Sequence, residues 1–261
     1  MDYKMIILER RGRVVLLTHN RPQASNAFSY ESYGEFRDAM ETLGQDPSVG
    51  AIVITGAGKH FSAGGDIVRF KTLIETGEYL DPDNILYADQ MAAAILRCPK
   101  PVIAMVNGVA TGAGLSCALA CDFRVVAPSS KMTMAFVNLG LCGDTGSLYL
   151  LPKIVGIPEA KRMMMLGEPV PAERAIQIGL ADIMAEEGKL EETAMAFAEK
   201  LANKSTAAIA AQKAIINNYF FENLDAYFQE EVKSMGELSR KPDFAEAVNA
   251  FLEKRAPRYN L

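Results

Sequence analysis

The sequence predicts an α/β core followed by an all-helical tail. Two short, continuous apolar runs, at residues 51–55 and 102–106, have the composition of strands buried on both faces. Helix-like patterns alternate with them, and this alternation is typical of layered α/β proteins. Beyond residue 185 the strand-like runs stop and four helical patterns follow one another. We therefore expect an α/β core at residues 1–190 and a helical region at residues 191–261.

Local residue patterns predict the individual elements. Two β-rich runs, at residues 3–8 and 13–18, lie on either side of Arg10-Arg11-Gly12 and indicate a hairpin. Ser29 is a candidate N-cap, and residues 30–43 after it carry one apolar face of a helix. The remaining expected elements are a strand at 51–55, a helix at 67–74, a polar loop with Pro82, a helix at 84–96, a strand at 102–106, a helix at 112–120, a strand at 123–127, and helices at 190–201, 207–221, 224–238 and 244–254.

Composition and charge limit the possible function classes. Hydrophobic residues make up 49% and charged residues 23% of the chain, which is typical of a soluble globular protein. The formal net charge of -5 disfavours electrostatic binding of nucleic acid or of an anionic membrane. The longest nearly uncharged run, residues 101–121, is interrupted by glycines and does not resemble a membrane span. Because the first residues lack a signal-peptide pattern, we expect a cytoplasmic protein with no nucleic-acid or membrane partner.

The cysteines are expected to be reduced core thiols, because a chain of this size without an export signal rarely depends on disulfides. They are Cys98, Cys117, Cys121 and Cys142. Cys117 and Cys121 lie one helical turn apart, but a metal site would need further ligands, and both histidines are far away in sequence. We therefore expect no metal site.

One glycine-rich segment has the context of a dinucleotide-binding turn. Residues 108–114 follow a strand pattern and open a helix, and Tyr149 and Lys153 have the spacing of a short-chain dehydrogenase. The glycines lie in mid-chain, however, and the tyrosine follows them too closely. Pro152 is also expected to disturb the helix that would align the two side chains. These features disfavour a nicotinamide-dependent enzyme.

A serine hydrolase is disfavoured as well. Neither Ser62 nor Ser116 lies in a Gly-x-Ser-x-Gly nucleophile elbow. The chain offers only His19 and His60 as bases, and His60 is better explained as a loop residue.

Two glycine-rich strand-to-helix loops, around Ala63 and Ala113, are the most informative feature of the sequence. Each places backbone N–H groups at or near a predicted helix start. A pair of such donors, reinforced by the helix dipole, can stabilise a developing oxyanion. From these residues alone, two tight turns without any catalytic role remain an alternative.

Several motifs in the same order along the chain resemble those of the enoyl-CoA hydratase/isomerase (crotonase) superfamily. The resemblance covers nearly the whole chain, starting at Asn20-Arg21-Pro22. Its other motifs are Phe61-Ser62-Ala63-Gly64-Gly65-Asp66-Ile67, Pro101-Val102-Ile103-Ala104-Met105-Val106-Asn107-Gly108, Ala175-Ile176-Gln177-Ile178-Gly179-Leu180 and Phe251-Leu252-Glu253-Lys254-Arg255. The resemblance implies an α/β crotonase (ClpP-like) spiral of repeated ββα units with a C-terminal helical trimerisation region. It therefore implies a homotrimer, or a hexamer that is a dimer of trimers.

The resemblance also implies the ligand and the residues that hold it. Family members bind acyl-CoA thioesters, and by analogy the N–H groups of Ala63 and Ala113 form an oxyanion hole for the thioester carbonyl. Coenzyme A is part of the substrate, so no separate cofactor is expected. The residues implied in binding the substrate or CoA are Arg21, Ala24, Ser62, Gly64, Gly65, Asp66, Ile67, Gly112, Leu139 and Lys254.

Membership of the superfamily does not by itself give the reaction, because its members share the oxyanion hole and differ in their acid/base groups. Hydratases of the family use two glutamates, and the matching positions here hold Ser116 and Phe136. Neither side chain can move a proton from water to carbon. The sequence therefore disfavours simple hydration.

One carboxylate, Asp144, precedes a largely apolar helix-like segment. Taken alone, it would be an N-cap that accepts helix N–H bonds. Residues 138–146 resemble, however, the Val-Asn-x-Gly-Leu-x-x-Asp-Ser-Gly run of the 1,2-epoxyphenylacetyl-CoA isomerase branch, in which the aspartate is the acid/base group. The resemblance therefore implies that Asp144 is the catalytic residue. Apolar neighbours such as Phe136, Leu139 and Leu141 would raise its proton affinity.

We therefore predict an acyl-CoA isomerase that shifts a double bond from 3-enoyl-CoA to 2-enoyl-CoA, or rearranges a ring-epoxide thioester, through an enolate. The alternatives are hydration, hydrolysis, decarboxylation or dehalogenation of a CoA thioester, or a non-catalytic CoA-binding or RNA-binding role. Dehalogenation is disfavoured because the related dehalogenases depend on a tryptophan that aligns with Phe136, and this chain contains no tryptophan.

Overall fold

A computed structural model describes residues 3–260 of the chain. The strands are β1 (Ile6–Arg11), β2 (Val14–His19), β3 (Ala51–Gly56), β4 (Val102–Val106), β5 (Val109–Thr111), β6 (Phe123–Val126), β7 (Lys131–Thr133), β8 (Val170–Pro171) and β9 (Ile183–Met184). The helices are α1 (Tyr30–Gln45), α2 (Ile67–Thr76), α3 (Pro82–Arg97), α4 (Ala113–Ala120), α5 (Ser147–Val155), α6 (Ile157–Leu166), α7 (Ala172–Gln177), α8 (Leu190–Ala202), α9 (Thr206–Phe220), α10 (Leu224–Leu238) and α11 (Pro242–Leu252).

The main sheet has six strands in the order β1-β2-β3-β4-β6-β9. The β1/β2 pair is antiparallel and the other pairs are parallel. Alternate residues of the central strands face two different apolar layers: Ile52 and Ile54 pack with α1 and α3, whereas Val53 and Ile103 pack with α8. Because both faces are covered, these strands have continuous apolar sequences.

A second, three-stranded sheet, β5-β7-β8, brings the two glycine-rich loops together. The loop after β3 pairs with β5 through Ser62, whose N–H donates to Val109 O (3.0 Å) and whose carbonyl accepts from Thr111 N (3.0 Å). Strand β5 leads directly into the turn before α4. The backbone around Ala63 therefore lies beside the backbone around Ala113.

The helical tail packs on the core. Helix α8 covers one face of the main sheet, α10 packs on α3, and α11 packs on α2. Helix α9 is attached through Lys213, whose Nζ lies 2.6 Å from Asp122 Oδ2 and donates to Lys100 O at 2.9 Å. The division near residue 190 stays a prediction. None of the helices in the described range is long and apolar enough to cross a membrane.

The structure corrects several predicted boundaries. Strand β1 begins at Ile6 and ends at Arg11, three residues later than expected, whereas β2 lies only one residue later, so the hairpin turn is shorter than predicted. Pro82 starts α3 and does not belong to the preceding loop, because Asp81 caps the helix and proline is well suited to the first helical position. Helix α5 continues through Pro152, which was expected to disturb it. Ser29, by contrast, is confirmed as the N-cap of α1.

Candidate active site

A cavity of about 430 Å³ lies where the loops before α2, α4 and α5 meet helices α1, α3 and α10. The thirteen residues predicted from the sequence do not all reach it. Those that line it are Ala24, Ala63, Gly65, Asp66, Ile67, Gly112, Ala113, Leu139 and Asp144. A second cavity, of about 510 Å³ between α1, α3 and α10, contains none of the predicted residues.

The rest of the wall is mostly apolar and was only partly predicted. Its side chains come from elements that are far apart in sequence, so no local pattern indicates that they meet. They include Phe28, Tyr33, Phe70, Leu80, Ile85, Ala88, Phe136, Leu141, Met235 and Phe251, and Arg69, Asn84 and Asn138 add polar side chains. Such a chamber is suited to an apolar group, with a few polar atoms to orient it.

The N–H of Ala113 belongs to the first residue of α4. The first N–H groups of a helix have no carbonyl partner within the helix, and the helix dipole makes this end electropositive. The residue before it, Gly112, has a φ of 52°, which is the left-handed region that glycine tolerates. The turn therefore presents a backbone donor beside the cavity.

The N–H of Ala63 is engaged within the protein, since it donates to Ser25 O at 3.0 Å. Ser25 has a φ of 51°, and the loop around it is fixed by the buried Asn26, whose Nδ2 donates to Ala57 O (2.8 Å) and His60 O (2.7 Å). A ligand carbonyl that uses the Ala63 donor must share or replace this hydrogen bond. Nothing in the sequence indicates this contact.

Two glycines allow the loops to approach. A Cβ on Gly64, whose φ is 91°, would lie 2.5 Å from Thr111 O and 3.5 Å from Ala113 N. A Cβ on Gly114 would lie 2.6 Å from Ser62 O. These distances are too short for any side chain, so glycine is required at both positions.

Four predicted residues do not line the cavity. Arg21 pairs with Asp66 (3.0 Å) and donates to Ala27 O. The buried Ser62 donates its hydroxyl to Asn26 O (2.7 Å) and accepts the N–H of Gly64 (3.1 Å). Lys254 is exposed at the end of α11. The structure thus places Arg21, Ser62 and Gly64 where they support the cavity wall, and a CoA contact for any of the four stays a prediction.

Asp144 lines the cavity and does not cap α5, whose N-cap is Gly146. Its Oδ1 accepts a hydrogen bond from the Thr145 hydroxyl at 2.8 Å. Burial raises the pKa of Asp144 to about 6, and the bond from Thr145 partly offsets this. A carboxyl with such a pKa can both accept and release a proton near neutral pH.

The positions of the hydratase glutamates carry no carboxylate. Phe136 lines the cavity, whereas Ser116 is fully buried and donates its hydroxyl to Gly112 O at 3.1 Å. The other carboxylate in the wall, Asp66, is paired with Arg21 and caps α2.

The residues that suggested a serine hydrolase base or a dehydrogenase pair do not line the cavity. His19 is buried between Phe28 and Phe36, and neither histidine is among the residues that line the cavity. Tyr149 and Lys153 form a cation–π contact (4.6 Å) away from the cavity. Among the described residues, no group of three His, Cys, Asp or Glu side chains is placed to hold a metal ion.

Two buried carboxyl groups behind Asp144 were missed by the sequence analysis. Asp89, on α3, and Glu231, on α10, accept the N–H groups of the two residues that follow Asp144. Each lies in an ordinary helical pattern, so only tertiary packing identifies it.

The fold and the cavity together define an α/β protein that presents backbone donors and one partly buried carboxyl to an apolar chamber. The comparisons with known proteins identify its family. The model of the enoyl-CoA hydratase/isomerase family matches residues 9–260, and the chain belongs to this family. The predicted superfamily and the crotonase fold are both confirmed.

Three related proteins illustrate the range of the family. The chain is 32% identical to a trans-2-decenoyl-[acyl-carrier-protein] isomerase of Streptococcus mutans over 99% of both chains. It is 33% identical to the 1,2-epoxyphenylacetyl-CoA isomerase of Escherichia coli over 94% of both chains. The crystal structure of an enoyl-CoA hydratase from Mycobacterium avium subsp. paratuberculosis superposes with a TM-score of 0.90, at 30% identity and 100% coverage of both chains. Isomerases and hydratases are thus about equally similar to it.

Proposed function

We propose that this enzyme is an acyl-CoA isomerase that uses Asp144 as its single acid/base group. The observation that carries the proposal is the position of Asp144: a carboxyl with a raised pKa lines the same apolar cavity as the backbone donors of Ala63 and Ala113. The isomerase names of the Escherichia coli and Streptococcus mutans relatives support it.

The proposed reaction is an allylic proton shift. The Asp144 carboxylate removes a proton from C2 of a 3-enoyl thioester, and the electron pair moves onto the thioester oxygen. The N–H groups of Ala63 and Ala113 stabilise the resulting enolate oxygen. Protonated Asp144 then returns the proton at C4, which leaves the conjugated 2-enoyl thioester. The same base and oxyanion hole would serve the rearrangement of a ring-epoxide thioester.

The carboxylates of the cavity favour isomerisation over hydration. Hydration in this family requires two acid/base groups. The second carboxylate of the wall, Asp66, forms an ion pair with Arg21 and accepts the N–H of Val68 at the start of α2, so it does not serve as the second acid/base group. Isomerisation requires only one carboxylate, which can take the proton from C2 and deliver it to C4.

Purified enzyme should convert a 3-enoyl-CoA into the conjugated 2-enoyl-CoA faster than it hydrates a 2-enoyl-CoA. The first reaction is followed by the absorbance of the conjugated thioester, and the second by mass spectrometry of the 3-hydroxyacyl product. A parallel assay with 1,2-epoxyphenylacetyl-CoA distinguishes the two isomerisations. Formation of 3-hydroxyacyl-CoA as the fastest reaction would show a hydratase instead.

The isomerisation rate should depend on pH through Asp144. The base must be ionised, and burial raises its pKa to about 6. We therefore expect kcat to be constant well above pH 6 and to fall about tenfold per pH unit well below it. A kcat that stays constant down to pH 4.5, with the enzyme still folded, would contradict the role of Asp144.

We also propose that helix α9 mediates assembly into a trimer or a hexamer. No residue of α9 is buried in the single chain, and four large apolar side chains near its end are 47–75% exposed: Ile215, Ile216, Tyr219 and Phe220. Contiguous apolar surface of this kind is typical of a subunit interface.

Replacement of both Ile215 and Tyr219 by aspartate should therefore convert the assembly to a monomer. Multi-angle light scattering at micromolar concentration should show three or six copies of the 28.4 kDa chain for the wild type and one copy for the variant. Ile7→Asp, at an exposed apolar residue of β1, serves as the control and should leave the mass unchanged. A monomeric wild type would refute the proposal.

A further inference from the structure

The turn that follows Asp144 is held by two carboxyl groups from different helices. The N–H of Thr145 donates to Asp89 Oδ1 (2.9 Å), and the N–H of Gly146 donates to Glu231 Oε2 (2.9 Å). Asp89 belongs to α3 and Glu231 to α10, so both helices that pack behind the cavity hold the turn.

This turn would not keep its conformation by itself. Thr145 has a φ of 59°, a left-handed conformation that β-branched residues rarely adopt. It also donates the hydroxyl hydrogen bond to Asp144. The position of the Asp144 carboxyl therefore depends on the two hydrogen bonds from the Thr145 and Gly146 backbone.

The two supporting carboxyl groups are deeply buried and differ in their partners. Asp89 is 0% and Glu231 is 2% exposed. Glu231 has both oxygens engaged, because Tyr227 donates its hydroxyl to Oε1. Asp89 Oδ2, in contrast, has no hydrogen-bond donor among the described residues.

Neighbouring buried carboxylates cannot both remain ionised without a large cost. Burial, followed by the charge of Glu231, raises the pKa of Asp89 far above its usual range. A proton on Asp89 Oδ2 would turn this unpaired acceptor into a donor to the Glu231 carboxyl. Burial also raises the pKa of Glu231, to about 7, although the bond from Tyr227 favours its charged form, so the negative charge of the pair develops on Glu231 near neutral pH.

The other groups that face this pair do not neutralise it. They are Tyr33 from α1, Tyr227 from α10, and Cys142 and Asp144 from the loop before α5. Burial raises the pKa of both tyrosines and of the cysteine, so these three are uncharged at neutral pH. Arg69 acts on Tyr33, on the cavity side. Glu231 is therefore the group behind Asp144 that titrates near neutral pH.

We propose that Asp89 and Glu231 are positioning residues that hold the Asp144 turn through its two N–H groups, and that the pair carries one proton, on Asp89. The proposal rests on the proposed role of Asp144. It has an electrostatic consequence, because Asp144, with a pKa of about 6, ionises before Glu231, and its negative charge is among the causes that raise the pKa of Glu231 to about 7.

Two isosteric substitutions test this distribution of charge. Asp89→Asn imitates the protonated aspartate, since its amide oxygen still accepts the Thr145 N–H and its NH2 donates to Glu231. Asp144→Asn removes the negative charge of Asp144 at nearly the same volume. The titration of Glu231 is measured directly by 13C NMR of enzyme labelled at the glutamate carboxyl carbons, with Glu231→Gln to assign the signal.

We expect Asp144→Asn to lower the titration midpoint of Glu231 by about one pH unit, a tenfold change in proton affinity, and Asp89→Asn to leave it unchanged. Asp89→Ala, which cannot hold the turn, should lower kcat about tenfold with little change in KM, and Asp89→Asn should restore it.

Two results would overturn the proposal. If Asp89→Asn lowers the Glu231 midpoint as Asp144→Asn does, the proton is not on Asp89; if Asp144→Asn leaves the Glu231 midpoint unchanged, Asp144 and the pair do not interact. Because the NMR titration requires no turnover, it is independent of the proposed reaction. Failure of the latter would appear instead as full activity of Asp144→Asn.

Discussion

Replacing Asp144 by asparagine is expected to lower kcat for isomerisation by a factor of about 10² to 10⁴, the usual contribution of a general acid/base group. Asparagine keeps the size of the side chain and can still accept the hydroxyl hydrogen bond from Thr145. It cannot take a proton from C2. Binding of the thioester should change little, because the oxyanion donors and the apolar wall remain. Steady-state assays with 3-enoyl-CoA, together with binding of a 2-enoyl-CoA product, separate the two effects.

Ser116→Ala is the matched control for this experiment. Ser116 occupies one of the positions where hydratases carry a glutamate, but it is fully buried and bonded to Gly112 O. Its loss should leave kcat close to the wild-type value. If Asp144→Asn and wild type convert the substrate at equal rates, Asp144 is not the base, and another group must move the proton.

Gly64→Ala should abolish most activity for a different reason. The new Cβ would lie 2.5 Å from Thr111 O and would force apart the loops that carry the Ala63 and Ala113 donors. Loss of one oxyanion donor alone costs about 10² to 10³ in kcat. The steric overlap should also destabilise the fold by about 1–3 kcal/mol beyond the cost of the positive φ. Activity and thermal unfolding of the same preparation measure both effects.

Gly77→Ala provides the comparison, because Gly77 also has a positive φ, of 71°, but a Cβ there would meet no atom within 4 Å. This variant should lose only about 1 kcal/mol of stability and keep its kcat. Comparing Gly64→Ala with Gly77→Ala separates the effect of steric overlap between the loops from the effect of the positive φ. Equal kcat values for the two variants would mean that the approach of the loops is not needed for catalysis.

The sequence predicted best those elements whose residue pattern reflects their burial. The central strands β3 and β4 are apolar throughout because two layers cover them, and the run alone identifies them. Strands β5 and β7 have three residues each and pair only after the chain has folded back, so no periodicity reveals them. Helix α9 was predicted as a helical pattern, although it has no buried residue in the single chain.

The residues of the site also differ in how far the sequence alone identifies them. The glycines around Ala63 and Ala113 indicate backbone donors, because close approach leaves a local signature in the sequence. The importance of Asp144 came from resemblance, since a carboxylate before a helix is usually a cap. Asp89 and Glu231 could not have been found, because their partners are N–H groups more than fifty residues away in sequence.

The hydrogen bond from Ala63 N–H to Ser25 O bears on how substrate and enolate would compete for the same donor. A thioester carbonyl that displaces the Ser25 carbonyl exchanges one neutral acceptor for another, with almost no net gain. An enolate oxygen carries charge, and hydrogen bonds to charged groups contribute about 1.5–3 kcal/mol, compared with about 0.5–1.5 kcal/mol for neutral ones. Under the proposed reaction, the Ala63 donor would therefore stabilise the enolate-like transition state more than the bound thioester. Such differential binding raises kcat without tightening KM.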